Sequence, residues 1–173
     1  AGASEIFSSS ADTFSVMNNA DLKFPVVQNE AGEDVQLTHG VYGQLLESTD
    51  RKVREQAFKA LYSVYHQFRN TFASTLSTHI KGHNYKAKIR GYASARAAAL
   101  SGNHIPEDVY ETLTLVVNQY LPLLHRYVEL RKELLGLEEL HMYDLYTPLL
   151  AEAPVKFTYE EAQAKALEAL KPL

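Results

Sequence analysis

The chain of 173 residues contains no cysteine and no tryptophan. The missing thiols exclude a disulfide framework, a cysteine-ligated zinc or iron–sulfur site, and thiol catalysis, and they suit a cytoplasmic rather than a secreted location. An excess of positive charge is also missing: 17 Lys and Arg face 21 Asp and Glu, a formal charge of −4. Without a dense basic run there is no footprint for nucleic acid. No uncharged apolar stretch reaches the roughly 18–20 residues needed to span a bilayer, and the opening Ala1-Gly-Ala-Ser-Glu5 lacks the basic start and apolar run of a leader. A soluble chain without membrane or nucleic-acid partners is therefore expected, and its length suggests one domain able to bury a core.

What is present is helical periodicity. Residues 1–20 are polar, with Ile6, Phe7, Phe14, Val16 and Met17 spaced for one short amphipathic helix. The β-prone Lys23-Phe-Pro-Val-Val27, the turn-rich Asn29 to Asp34 and the alternating Val35 to Thr38 predict a β-hairpin within residues 23–38, with Pro25 at an edge. A short helix follows from Thr38 to Glu47. Ser48, Thr49 and Asp50 then supply N-cap chemistry. Val53, Ala57, Leu61, Val64, Phe68, Phe72, Leu76 and Ile80 recur at three- and four-residue steps, which predicts a single long amphipathic helix, with Gly82 and Gly91 as breaks. Ser94 to Leu100 is helix-prone. Pro106, Glu107 and Asp108 fit the start of a helix whose stripe runs Val109, Leu113, Val116, Tyr120, Leu124, Tyr127, Leu130 and Leu134, with Pro122 kinking it near Asn118 and Gly136 closing it. Residues 144–157, with Pro148 and Pro154, read as irregular. Thr158 and Glu161 form a capping box for a last helix. The fold class is thus mainly α, with long amphipathic helices and one small hairpin.

Seven histidines stand at 39, 66, 79, 83, 104, 125 and 141. His79 and His83 have the i,i+4 spacing of a metalloprotease helix, but Ile80 occupies the place where that motif needs a Glu. They are expected to be two solvated histidines at a helix end, with an independent metal site as the outside reading. His125 and His141 are expected to be buried histidines with a hydrogen-bond partner. His141-Met-Tyr-Asp-Leu-Tyr146 gathers an imidazole, a carboxylate and two phenols, a set able to line a polar cavity. Tyr62, Tyr65, Tyr120 and Tyr127 read as core residues with tethered hydroxyls. Lys81, Lys86, Lys88, Arg90 and Arg96 read as a solvated, interaction-prone face.

Taken in order, Ala20-Asp-Leu-Lys-Phe-Pro25, Leu37-Thr-His-Gly40, Leu121-Pro-Leu-Leu-His-Arg-Tyr127, His141-Met-Tyr-Asp-Leu-Tyr146 with Pro148-Leu149, and Tyr159-Glu-Glu-Ala162 through Leu170-Lys-Pro-Leu173 resemble the middle of the oligoendopeptidase F branch of the thimet-oligopeptidase family of zinc metallopeptidases. The resemblance implies a cytoplasmic, bowl-shaped helical enzyme that cleaves short peptides in a deep channel and needs zinc. In that family the His-Glu-x-x-His helix and a further Glu lie C-terminal to the matching region. No histidine of this chain is followed by Glu. By the resemblance, residues 1–173 are a single helical fragment preceding the zinc-binding portion. They would supply scaffold and channel wall, with no catalytic, cofactor-binding or metal residue of their own, no zinc bound by this chain alone, and self-association through surfaces a truncation would expose. The apolar side of the last helix, formed by Tyr159, Ala162, Ala166, Leu167 and Leu170, would then fold back or pair with another molecule. The alternative is a free-standing helical protein-interaction domain without catalytic activity.

Overall fold

The computed structural model describes residues 3–150 and 157–171. It has seven α-helices among these residues and one two-stranded antiparallel sheet. The opening helix α1 (Ala3–Val16) passes into a π-helical turn at Met17–Asp21. Strands β1 (Val26–Gln28) and β2 (Asp34–Gln36) pair with Val27 opposite Val35. Their turn is held by Asn29, whose Oδ1 accepts from the amides of Ala31 and Glu33 at 3.0 and 2.9 Å, with Gly32 at φ +77°. A side chain able to mimic a backbone acceptor, followed by a residue tolerant of positive φ, is what such a reversal needs.

Helix α2 (His39–Leu46) is capped by Thr38, whose hydroxyl accepts from the Val41 amide, and α3 (Arg51–Gln67) by Asp50, which accepts from the Lys52 amide. The apolar stripe of α3 is the spine of the core: Val53, Ala57 and Leu61 pack against Val27, Leu37 and Leu45. Leu37, 1% exposed, links hairpin and helix at the centre of this cluster. Burying one such side chain is worth about 1.5–3 kcal/mol. A second cluster, Met17, Leu22 and Val64, joins the π turn to the far end of α3. The hairpin tip is tied back as well: Oε1 of Glu30 accepts from the Thr49 amide at 2.6 Å, the Asp50 amide at 3.3 Å and the Ser48 hydroxyl. These donors hold the Glu30 carboxyl below its usual range.

The long periodic run does not form one helix. It breaks at Phe68 (φ −100°, ψ 9°), and α4 spans Arg69–Ile89. The two halves of the stripe have different partners, α3 covering the hairpin and α2 while α4 lies along α1. The joint between α4 and α1 is aromatic, with ring centroids of Phe14 and Phe72 at 5.7 Å and of Phe7 and Tyr85 at 6.0 Å. Gly82, expected as a break, lies inside α4. A Cβ there would sit 3.4 Å from Phe7 Cδ1, so this glycine lies where α1 approaches α4 closely.

The true stop of α4 is Gly91, at φ +75°, where the Gly91 and Tyr92 amides donate to the carbonyls of Lys88 and Ala87. Helix α5 (Ala95–Ser101) is capped by Ser94, and α6 (Glu107–Leu134) runs through Pro122 without a break. Gly136 closes α6 with the same paired bonds, from Gly136 to Glu133 and from Leu137 to Lys132. This is the Schellman pattern at both glycines. A 3₁₀ turn at Met142–Asp144 and helix α7 (Tyr159–Ala169) follow. Thr158 and Glu161 make both bonds of the expected capping box. The irregular stretch expected around Pro154 lies outside the described residues.

The α6 stripe is not a core within this chain. Leu113, Tyr120, Leu124, Tyr127 and Leu134 are each about half exposed or more. A helix this apolar and this open, in a chain whose core is elsewhere, presents a surface fit for cover by further protein.

Candidate functional site

Asp144, from the His141–Tyr146 cluster, is fully buried and is the point where distant segments meet. Its Oδ1 accepts from Arg54 Nη2 at 2.8 Å and Arg51 Nε at 3.2 Å; its Oδ2 accepts from Arg51 Nη2 and the His141 amide, both at 3.0 Å. Burial pushes the carboxyl pKa up, but the hydrogen bonds from Arg51, Arg54 and His141 outweigh it and hold the group below the ordinary aspartate value. The Arg51 guanidinium is correspondingly raised, chiefly by its hydrogen bond to Asp144. Arg131 grips the same segment through its backbone, donating to the carbonyls of Asp144 at 3.2 Å and Thr147 at 2.6 Å. Arg54 also donates to the Ser48 carbonyl at 2.8 Å. A carboxylate with both oxygens engaged by guanidinium and amide donors positions chain segments; it does not shuttle protons.

The cluster at 141–146 stands out in the sequence as a set able to line a polar cavity; in the structure its Asp144 carboxylate is held by Arg51 and Arg54 and its backbone by Arg131. Arg51, Arg54 and Arg131 are not distinguished in the sequence from other cations of the helical stretches, and the single hint is that Arg54 and Arg131 flank stripe positions Val53 and Leu130. His141 is half-buried and stacks on Tyr143 with centroids 5.0 Å apart. His125 is exposed, not buried: among the described residues nothing covers its face of α6. Tyr65 does have the tethered hydroxyl expected of it, donating to Asn18 Oδ1 at 2.7 Å. Tyr62, Tyr120 and Tyr127 are about half exposed, against expectation.

Helices α1, α3 and α4 enclose an apolar groove of about 550 Å³ lined chiefly by Ala11, Phe14, Tyr62, Tyr65, Phe72 and Leu76, with His79 at its edge. That volume lies in the range of ligand clefts. His79 is half-buried, and its Nε2 is 3.1 Å from Nε2 of the exposed His83. Two imidazoles are too few to fix a catalytic zinc, which takes three protein ligands. Among the described residues no group of three His, Asp or Glu side chains could hold a metal ion. The described residues therefore do not by themselves fit zinc. No helix among them is long and apolar enough to cross a membrane.

The model of peptidase family M3 matches residues 44–170, a span that contains the whole Asp144 clamp. The chain belongs to peptidase family M3. This M3 chain is 55% identical over 170 residues to the group B oligopeptidase PepB of Streptococcus agalactiae, covering 98% of itself and 28% of that protein. It is 53% identical over 173 residues to the oligopeptidase PepF of Bacillus subtilis, covering all of itself and 26% of that protein. Among solved structures, the oligoendopeptidase-F of Enterococcus faecium matches with a TM-score of 0.86 and 72% identity over 99% of this chain and 32% of that one. The M3 chain thus spans about a quarter to a third of the length of the relatives it matches.

Proposed function

We propose that this chain forms scaffold and channel wall of a cytoplasmic zinc metallo-oligopeptidase that hydrolyses short peptides, and that it precedes the portion holding the metal. The observation that carries this reading is the combination of M3 membership with a 28-residue helix α6 whose apolar stripe is open to solvent. Such a stripe makes physical sense as one layer of a larger helical body. Zinc in the complete enzyme would polarise the scissile carbonyl and activate water. The residues of this chain take a different part: the Asp144 clamp fixes residues 141–147 against α3 and α6, and the groove between α1 and α4 shapes the wall.

The chain by itself is expected to bind no stoichiometric zinc, to leave a short quenched fluorogenic peptide intact, and to self-associate through the exposed faces of α6 and of α7, where Tyr159, Leu167 and Leu170 are all exposed. Metal analysis, a peptide-cleavage assay and sedimentation on residues 1–173, beside the longer polypeptide encoded around them, test this reading. Stoichiometric zinc with turnover by residues 1–173 alone overturns it. A strict monomer, with an inactive and metal-free longer polypeptide, favours the free-standing interaction domain.

A further inference from the structure

From position 56 to position 106 the sequence contains no Asp or Glu, while it carries Lys59, Arg69, Lys81, Lys86, Lys88, Arg90 and Arg96. In a chain of net charge −4 this is a strongly one-signed block, and it includes all of α4 and α5. Arg96 is neutralised by Glu107 and Glu111 of α6, at 2.6 and 3.0 Å. Among the described residues, Lys81, Lys86, Lys88 and Arg90 have no carboxylate within ion-pair distance. His83, Lys86 and Arg90 fall at i, i+3 and i+7, and so on one face of α4. Opposite them, across the turn at Gly91, stand Tyr92 and the small residues of α5.

These side chains enclose a crevice of about 170 Å³, lined by His83, Lys86, Arg90 and Tyr92 with Ala95, Ala98 and Ala99 as its apolar wall. Every polar side chain in it can donate a hydrogen bond and none is a carboxylate, so the complementary ligand is an anion or a strong acceptor. The volume is well below the roughly 300–1,000 Å³ of sites that enclose a whole small molecule. It has the size for one end group. Arg90 presents a planar fork suited to a two-oxygen acceptor, and Lys86, half-buried with its ammonium 5.1 Å from the centre of the Phe7 ring, is held near α1 rather than swinging freely.

We infer that the crevice between the end of α4 and α5 binds a carboxylate, and specifically the free C-terminal carboxylate of a short peptide, through Arg90 and Lys86 with Tyr92 as a neutral donor. This rests on the peptidase reading above. A terminal carboxylate is the one anionic group that every unmodified short peptide carries, so a donor-only end-group site lets an enzyme register where its substrate stops. The other source of the same chemistry is an Asp or Glu side chain from protein beyond this chain.

The test uses the longer, metal-loaded polypeptide and a matched pair of fluorogenic peptides, one ending in a free acid and one in an amide. The wild type is expected to show a KM roughly five-fold lower for the acid, with kcat alike for both. In Arg90→Gln and Lys86→Gln that ratio falls toward one, and Arg90→Lys, which keeps the charge and loses the fork, recovers part of it. Equal KM values for acid and amide in the wild type overturn the inference, as does a ratio the variants leave intact. Loss of folding in the glutamine variants together with a wild-type ratio of one assigns the crevice to an internal carboxylate and also overturns it. Failure of the wild type to cleave either peptide is a different result, one that brings down the peptidase reading itself.

Discussion

Arg54 and Asp144, 90 positions apart in the chain, meet at 2.8 Å with side chains only 3% and 0% exposed. Around this pair, Arg51 and Arg131 bind the 141–147 segment to α3 and α6. Ion pairs hidden from water are costly to assemble and more costly to break, because deleting one member leaves the other's charge desolvated. The charge excess at this clamp makes the aspartate the sensitive member.

Asp144→Asn is expected to destabilise the chain by about 3–5 kcal/mol, since it strips the carboxylate paired with buried Arg54 while keeping the shape. Urea unfolding followed by circular dichroism measures this. Arg51→Gln, at a side chain 39% exposed, should cost distinctly less. Equal losses for the two variants would contradict the buried-pair account.

The same carboxylate sets an acid limit. Its pKa is lower in the folded protein than in the unfolded chain, so the stabilisation is complete above the unfolded aspartate value of about 3.9. It is lost as pH falls through the folded value. Stability measured from pH 6 downward should decline below about pH 4 in the wild type and decline less in Asp144→Asn. A curve for the variant parallel to the wild type would show that other carboxyls govern acid unfolding.

An alkaline limit comes from Tyr42, whose phenol is pushed up to about 12, first by burial and then by Tyr62 and Tyr146 nearby. Because the neutral phenol is the form the fold favours, its contribution is complete below the unfolded tyrosine value near 10 and fades as pH rises from about 10 toward 12. Burial raises the phenols of Tyr65 and Tyr143 as well, so ultraviolet titration should find several phenols fewer ionising near pH 10 in the folded wild type than after unfolding, with a late step toward pH 12 from Tyr42. Tyr42→Phe should remove that late step.

Leu37→Ala should cost about 2–5 kcal/mol, because Leu37 bridges the hairpin and α3 and the rigid elements around it cannot collapse to fill the space. Thermal unfolding monitored by circular dichroism is the measurement. A loss under 1 kcal/mol would mean that the hairpin is not part of the cooperative core.

Gly82→Ala should stabilise by about 0.5–1 kcal/mol, since alanine is the better helix former and its methyl meets Phe7 at ordinary contact distance. Gly82→Val brings two more carbons toward that ring and should lose the gain. Urea midpoints of both variants, compared with the wild type, decide it.

The helix starts were legible in the sequence because a cap is a local transaction. Thr38, Asp50, Ser94 and Thr158 each bond an amide two or three residues away; Asp50 and Thr158 read as caps, while Thr38 and Ser94 read only as the first residues of their helical stretches. Gly91 and Gly136 were legible for the same reason, as helix ends that need positive φ. Phe68 and Gly82 were not. At Phe68 the three- and four-residue rhythm continues across the break, and what ends the helix is a change of packing partner from the hairpin to α1. Gly82 looked like a stop, but α4 continues through it, with Phe7 of α1, 75 positions earlier, packed beside it.

The candidate site divides along the same line. His141 to Tyr146 stood out by composition, and the basic residues of α4 stood out by charge. The arginines that close on Asp144 did not, because nothing local distinguishes Arg54 and Arg131 from solvated helix cations. Helix periods, caps, the hairpin and the family likeness therefore came from the sequence alone, since each depends on residues a few positions apart or on an ordered series of motifs. Which charges are buried, which apolar stripe forms the core and which remains open were decided only by the tertiary structure, because burial depends on what other segments lie against a residue.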